Sequence, residues 1–146
     1  MQDAADQTAL EQAAAYFVKA IPQAVELGLE LVSIAPGEAV MTMPWDAKLV
    51  GDPKTGVIHG GAVFTLMDTC AGASALSHPQ AAPSSATLGL RVDYMRPATP
   101  HQTIRAHAVC HQVTRTVAFV RITATDEDTS RPVASAVGTF TMNREA

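Results

Sequence analysis

The spacing of apolar residues changes along the chain from a helical period to a two-residue alternation. Near the start, an apolar stripe at helical spacing runs from Leu10 to Ile21 and stops at Pro22. A capping-box pattern beginning at Thr8 precedes most of this stripe. We therefore predict an amphipathic N-terminal helix within residues 1–22.

A β-hairpin is predicted next. Apolar residues alternate with polar ones across residues 27–45, on both sides of a Pro36-Gly37 turn signal. Residues 46–56 show no period, and we expect a loop there.

The stretch from Gly60 to Ser77 has no proline. When it is placed on a helix, small or apolar residues occupy nearly every position on all faces. This composition predicts a long helix that is buried on all sides and that ends before His78-Pro79. Asp68 is its single charged residue. An aspartate is therefore the feature of this helix that needs an explanation.

Four further segments alternate between apolar and polar positions, as half-buried strands do. Their apolar residues are Leu88, Leu90, Val92 and Tyr94; Ile104, Ala106, Ala108 and Cys110; Ala118, Val120, Ile122 and Ala124; and Ala134, Ala136, Phe140 and Met142. The connections between them are short, which favours antiparallel neighbours. We predict an α+β fold, with an antiparallel sheet of about six strands curled round the long helix.

Composition narrows the class of protein. The 146 residues suit a single domain covering residues 1–146, and 47% of them are hydrophobic. A net charge of −4 without any basic run argues against a nucleic-acid partner. No apolar run is long enough for a membrane span and no basic leader is present, so we expect a cytoplasmic protein. Cys70 and Cys110 lack metal-site spacing, so we expect free thiols, no metal and no cofactor.

The long helix contains two groups that can do chemistry. An ionised carboxylate in an apolar helix needs partners, so Asp68 either bonds a neighbouring hydroxyl such as Thr65 or Thr69, or faces a cavity where it acts on a substrate. Gly60 and Gly61 begin the helix without bulk, which leaves backbone N–H groups open to an oxyanion.

The pattern Gly56-x-x-His59-Gly60-Gly61-x-x-x-x-Leu66-x-Asp68 is followed by Arg91-Val-Asp-Tyr-Met-Arg-Pro-Ala98. Together these motifs closely resemble the hotdog-fold acyl-CoA thioesterases of the PaaI-like (phenylacetate-pathway) branch. The resemblance covers nearly everything after the first helix. It implies a hotdog fold and hydrolysis of an acyl-CoA thioester, without specifying the acyl group.

The resemblance also implies a role for each matching residue. Asp68 would be the general base or nucleophile, the Gly60 N–H would hold the thioester oxygen, His59 would order the loop, and Thr87 would hold the attacking water. We expect further substrate contacts from a second set of residues, namely Gly61, Thr69, Arg115 and Thr116, with Arg115 meeting a CoA phosphate. One position departs from the pattern: Pro53 stands where some relatives place a polar residue that polarises the carbonyl.

Two other functions remain open. A hotdog module could bind acyl-CoA without turnover, which Pro53 favours, or the chain could be an enoyl-CoA hydratase or dehydratase. The second would need an Asp/His acid–base pair, and the histidine of the motif that is nearest to Asp68 lies nine residues before it.

Gly60 and Asp68 are about 12 Å apart along one helix, so we expect a homodimer with shared active sites, assembled as a dimer of dimers.

Overall fold

The computed structural model describes residues 2–145. The helices are α1 (Gln2–Ala20), α2 (Pro22–Glu26) and α3 (Gly60–Leu76), and a short 3₁₀ turn spans Ala47–Leu49. The strands are β1 (Glu30–Ala35), β2 (Glu38–Met43), β3 (Val50–Asp52), β4 (Val57–Ile58), β5 (Thr87–Tyr94), β6 (Ile104–Val113), β7 (Val117–Thr125) and β8 (Ala134–Thr141). Over this range, no helix is both long and apolar enough to cross a bilayer.

Six strands form one antiparallel sheet in the order β1-β2-β6-β7-β8-β5. The strands β6, β7 and β8 bury alternate residues, and the buried side packs against α3. The prediction of an antiparallel sheet round a long helix is therefore confirmed. The strand β5 follows α3 in the chain and has β8 as its one neighbour in this sheet, so it forms one edge.

The central helix α3 is buried on most of its surface but not on all of it. Val63, Leu66, Met67 and Cys70 are among the residues covered by the sheet. A stripe at helical spacing stays partly or fully exposed, and its members are Gly61, Phe64, Thr65, Asp68, Gly72 and Leu76. The expectation of burial on all sides is wrong for a single chain, because the sheet curls round the helix without closing over this stripe.

The N-terminal helix also differs from its prediction. It begins at Gln2, and the Thr8 hydroxyl donates back to the Ala4 carbonyl at 2.9 Å, so Thr8 does not cap a helix start. Pro22 opens α2 as a first-turn proline. Leu27 closes α2, so the first strand starts later than the alternation indicated, at Glu30.

The segment expected to be a loop, residues 46–56, contains the 3₁₀ turn, β3 and the connection to β4, with which β3 forms a small hairpin. The 3₁₀ turn helps to fix the approach to α3, because the His59 N–H donates to the carbonyl of its last residue, Leu49, at 2.8 Å. Gly51 is required for the fit: a Cβ there would come within 2.8 Å of His59 Cα. The hairpin therefore positions the start of the central helix.

A β-bulge interrupts the pairing of β5 with β8. Thr87 pairs with Phe140 and Gly89 with Thr139, so Leu88 has no partner in register. Without the bulge, alternation would place Thr87 on the opposite face of the sheet from Leu90 and Val92. The bulge returns Thr87 to the face that carries α3.

Both cysteines are buried free thiols, as predicted. Burial raises the pKa of the Cys70 thiol to about 12, and its Sγ lies 3.3 Å from the Ala39 carbonyl. A thiol in this state is a poor nucleophile.

A buried ion pair joins the end of β5 to the β7–β8 connection. Arg96 donates two hydrogen bonds of 2.7 Å to Asp126, whose side chain is inaccessible to solvent. The Thr99 N–H and hydroxyl add two more, at 3.0 and 2.9 Å. The Arg96 guanidinium holds the pKa of the Asp126 carboxyl well below its usual range.

This ion pair predicts acid sensitivity. A carboxyl with a lowered folded-state pKa stabilises the fold fully above its unfolded-state pKa of about 4, and this contribution is lost as the pH falls towards the folded-state pKa. The urea midpoint of unfolding should therefore fall as the pH is lowered from about 5 to about 3. Asp126→Asn should be less stable at pH 7 and should show a flatter pH dependence. An equal slope in both proteins would show that other carboxyls set the acid limb.

Candidate active site

The N-terminus of α3 is capped by the side chain that precedes it. His59 has extended backbone geometry, and its Nδ1 accepts a hydrogen bond of 2.8 Å from the Gly61 N–H. Nδ1 therefore carries no proton, and in the neutral ring the proton lies on Nε2. Gly61 must lack a side chain, because a Cβ there would lie 2.9 Å from Nδ1. The predicted ordering role of His59 agrees with this contact.

The cap leaves one backbone donor at the helix start unused. The N–H groups of Ala62 and Val63 both donate to the His59 carbonyl, and that of Gly61 is held by the His59 ring. Among the residues that the structure describes, the Gly60 N–H has no acceptor. This donor lies at the positive end of the helix dipole, which favours a developing negative charge.

Tyr94 holds Gly60 in place. Its hydroxyl donates to the Gly60 carbonyl at 2.7 Å, and ring atoms lie 3.3 Å from where a Gly60 Cβ would be. Desolvation raises the pKa of Tyr94, so the phenol stays protonated and can donate. Tyr94 ends β5, so this contact ties the sheet edge to the helix start.

Asp68 meets a residue from β5 and none of its helical neighbours. The Thr87 hydroxyl donates to Asp68 Oδ1 at 2.8 Å. The two hydroxyls considered as local partners are used elsewhere: Thr65 donates to the Gly61 carbonyl and Thr69 to the Thr65 carbonyl. The interpretation of Asp68 as a residue satisfied by Thr65 or Thr69 is therefore wrong.

Asp68 and Thr87 line an open groove of about 390 Å³. The other lining residues come from α1, α2, α3 and the start of β5, together with β8, and they are Phe17, Ile21, Gln23, Phe64, Thr65, Thr69, Gly72, Leu76, Ser85, Ala86 and Phe140. One end of this groove is polar, with a carboxylate and a hydroxyl in contact. The other walls are mainly apolar, which is typical of a site that binds a substrate with an apolar part.

The structure brings together some of the predicted site residues and separates others. Asp68, Thr87 and Thr69 share the groove, whereas Gly60 and Gly61 do not line it. Arg115 and Thr116 lie in the turn between β6 and β7, also outside the groove. Arg115 shares a separate surface depression with Arg144, whose Nε donates to the Arg115 carbonyl at 3.0 Å.

The polar end of the groove can activate a water molecule. Because the Thr87 hydroxyl donates its proton to Asp68, its oxygen lone pairs are free to accept from water. Asp68 Oδ2 is a second acceptor beside it. Within residues 2–145, no three His, Cys, Asp or Glu side chains are close enough to hold a metal ion.

Comparison with known proteins identifies the family. The profile of the thioesterase superfamily matches residues 55–133, which include Gly60, Asp68 and Thr87. The chain belongs to the thioesterase superfamily. Members of this family are thioester hydrolases, so the site just described is the candidate centre for hydrolysis of a thioester.

Individual relatives agree with this assignment. The chain is 36% identical over 117 residues to a Halobacterium salinarum protein named as a candidate esterase, covering 77% of each. It is 34% identical over 87 residues to the acyl-coenzyme A thioesterase PaaI of Escherichia coli, covering 59% of each.

Solved structures confirm the predicted hotdog architecture. A Pseudomonas aeruginosa protein superposes with a TM-score of 0.81 at 36% identity, covering 90% of this chain and 98% of its own. A Streptococcus mutans protein bound to acetyl CoA superposes with a TM-score of 0.70 at 25% identity, covering 79% of this chain and 88% of its own.

Sequence reasoning missed Tyr94, Phe17 and Gly72 as members of the site. Tyr94 is part of the Arg91–Ala98 motif and of an apolar strand face, and its position within that motif was the available signal. Phe17 belongs to a helix whose packing partner could not be known from its own periodicity. Gly72 lies four residues after Asp68, hence on the same helix face, and this spacing was the available signal.

The Tyr94 contact predicts a positioning role in this thioesterase. Tyr94→Phe keeps the ring beside Gly60 and removes the hydroxyl, which is worth about 0.5–1.5 kcal/mol, so kcat should fall about two- to tenfold. KM should change less than twofold, because the hydroxyl contacts Gly60 and not the groove. Tyr16→Phe, on the exposed face of α1, is the matched control and should leave both constants unchanged.

Proposed function

We propose that this thioesterase hydrolyses an acyl-CoA, with an aromatic or medium-chain aliphatic acyl group, to the free acid and CoA. The observation that carries the proposal is the Asp68–Thr87 hydrogen bond of 2.8 Å in a groove whose lining is polar in part and also includes Phe17, Phe64 and Phe140. The PaaI relative is an acyl-CoA thioesterase and the Streptococcus structure holds acetyl CoA, which supports CoA as the carrier.

In this proposal Asp68 acts as the general base. A water bound between Asp68 Oδ2 and Thr87 Oγ1 donates one proton to each, so its own lone pair points out towards the thioester carbonyl. Asp68 takes the proton as the water oxygen attacks, and the sulfur leaves with the electrons of the broken C–S bond. Direct attack by the carboxylate is the alternative, and the Thr87 hydroxyl favours the base because it provides a second contact for water.

The oxyanion that forms needs a donor on the other side of the carbonyl. The Gly60 N–H has this capacity, but it lies about 12 Å from Asp68 along α3, and Gly60 does not line the Asp68 groove. One carbonyl cannot reach both groups in one chain. We propose that the Gly60 N–H of a second copy completes each site.

The exposed side of the molecule supports such a pairing. As the edge strand, β5 has one side without a strand partner, and long edge strands of this kind invite pairing with another chain. Leu88 and Met95 beside it are 59% and 60% exposed. The uncovered stripe of α3 adjoins this edge through the Asp68–Thr87 contact. A two-fold axis there would lay two α3 helices antiparallel and extend the sheet through both copies.

Two features bear on binding and rate. Arg115 and Arg144 form a basic pair, neither of which meets a carboxylate among residues 2–145, and we propose that Arg115 and Thr116 contact the phosphate end of CoA. Pro53 lies in the turn between β3 and β4 and offers no N–H. The thioester carbonyl would then be polarised by backbone amides alone. Pro53 therefore favours the second candidate function, in which the protein binds acyl-CoA without hydrolysing it.

Replacing the proposed base tests the proposal directly. Asp68→Asn keeps the shape of the side chain and removes the base, so thiol release from acyl-CoA should fall at least about a hundredfold, with little change in substrate affinity. Asp68→Ala should show the same loss. Asp93→Asn, on the exposed face of β5, is the control. A folded Asp68→Asn protein with most of its activity would mean that Asp68 is structural.

Mixing two inactive variants tests the shared site. Gly60→Pro removes the N–H, and His59 at φ −61° and ψ 135° already has the extended geometry that precedes proline. If Asp68→Ala and Gly60→Pro chains exchange freely, half of the dimers are mixed and each holds one intact site. Activity should recover to about a quarter of wild type.

Gly60→Ala is the matched control for this experiment. It adds the same Cβ, 3.3 Å from the Tyr94 ring, but keeps the N–H. It should therefore be much more active than Gly60→Pro, which separates loss of the donor from crowding. Subunit exchange demonstrated by a mass-tagged chain, with activity still at the parental level, would contradict the shared site.

A further inference from the structure

A second cavity of about 150 Å³ lies beneath the N-terminal helix. It is lined by Leu10, Ala13, Ala14 and Phe17 of α1, Ile34 of β1, and Ala73, Leu76 and Ser77 at the end of α3. The single polar side chain among them is fully engaged: the Ser77 hydroxyl accepts from the Gly37 N–H at 3.1 Å and lies 2.9 Å from the Ala35 carbonyl. An apolar lining of this kind suits an apolar occupant.

This cavity adjoins the groove that holds Asp68. Phe17 and Leu76 line both spaces, so they form the partition between them. Asp68, Gly72 and Leu76 follow one another at four-residue spacing on the uncovered stripe of α3. A molecule that extends from Asp68 along the helix therefore meets Gly72 and then reaches the partition, about 12 Å from Asp68.

Gly72 keeps this path open. Because Gly72 has no side chain, the groove floor between Asp68 and Leu76 is the helix backbone itself. The nearest atom to a Cβ at this position would be Phe140 Cε1, at 3.8 Å. That distance is an ordinary van der Waals contact, so packing within this chain does not require a glycine here, although glycine weakens a helix interior by about 1 kcal/mol relative to alanine.

From this arrangement we infer that the cavity beneath α1 is the acyl-tail subsite, and that residue 13 limits the size of acyl group accepted. The inference rests on the proposed function. The carbonyl lies by Asp68, the acyl group runs over Gly72, and its distal end passes Phe17 and Leu76 into the cavity. A volume of about 150 Å³ is that of an apolar cavity that can hold a benzene ring, so this partly open space has room for the end of an alkyl chain.

The consequence is a preference for larger acyl groups. Acetyl, butyryl and hexanoyl groups end in the groove and gain nothing from the cavity, whereas a decanoyl group is long enough to pass the partition and enter it. Each methylene moved from water into an apolar site should raise kcat/KM about fourfold until the cavity is full. A charged or strongly polar distal group should be rejected, because the lining offers it no hydrogen-bond partner.

Three substitutions on α1 test the subsite. Ala13→Leu adds three carbon atoms at the open side of the cavity, where Ala13 lines it, and should lower kcat/KM for decanoyl-CoA at least about tenfold, while changing that for acetyl-CoA less than twofold. Leu10→Ala enlarges the same cavity and should move the optimum to longer chains. Ala9→Leu makes the same chemical change on an exposed position that does not line the cavity, and should leave the profile as in wild type.

Affinity measurements keep this test separate from the proposed function. Binding of acetyl-CoA and decanoyl-CoA to the Asp68→Ala protein is measured by calorimetry, with and without Ala13→Leu. We expect tighter binding of decanoyl-CoA, by at least about tenfold, and a reduced difference between the two ligands with Ala13→Leu. Absence of turnover in wild type would overturn the proposed function and leave the affinities to decide the subsite. If Ala13→Leu affects both ligands alike or neither, or if Ala9→Leu acts as Ala13→Leu does, the subsite is wrong.

Discussion

The structure depends on one helix that is apolar enough to be enclosed by a sheet and yet carries a carboxylate. Nine residues of α3 are buried, and the stripe that the sheet leaves uncovered is the one on which Asp68 lies. An ionised carboxylate is tolerated there because it is partly exposed and bonded to Thr87. The same placement puts a carboxylate, the proposed base, in a groove that apolar residues also line. Both the stability of the fold and the proposed chemistry therefore require that the sheet leaves this face of the helix uncovered.

The start of the helix is built by contacts that converge from several parts of the chain. The His59 N–H donates to the Leu49 carbonyl at the end of the 3₁₀ turn, the His59 ring accepts from the Gly61 N–H, and the Tyr94 hydroxyl at the end of β5 donates to the Gly60 carbonyl. Each of these contacts fixes a residue at or next to the Gly60 N–H. What remains is one preorganised donor, and preorganised donors are the largest single contribution in many acyl-transfer enzymes.

The open stripe of α3 and the edge strand β5 lie on the same side of the molecule. Within one chain the stripe is not covered by the sheet, and one side of β5 has no strand partner. The groove has a carboxylate and a hydroxyl, and the Gly60 N–H, which has no acceptor among the described residues, lies at the far end of α3. In the proposed assembly each chain therefore supplies half of two sites. The N-terminal helix contributes Phe17 to this groove and, with the end of α3, lines a second, partly open space of about 150 Å³.

The sequence alone determined the order of the main elements, because periods of 3.6 and 2 residues follow directly from which face is buried. It also identified Asp68 as a candidate site residue, because Asp68 is the one charged residue of an apolar helix. The His59-Gly60-Gly61 motif indicated the family and the Gly60 N–H that is proposed as the oxyanion donor. Only the tertiary structure decided what Asp68 contacts. Strict alternation assigns Thr87 to the wrong face of β5, and the bulge at Leu88 that corrects it arises from pairing with β8, whose register no local pattern specifies. The roles of Phe17 and Tyr94 were hidden for the same reason. A side chain's partners across the fold depend on how elements pack, whereas its own periodicity reports only that it is buried.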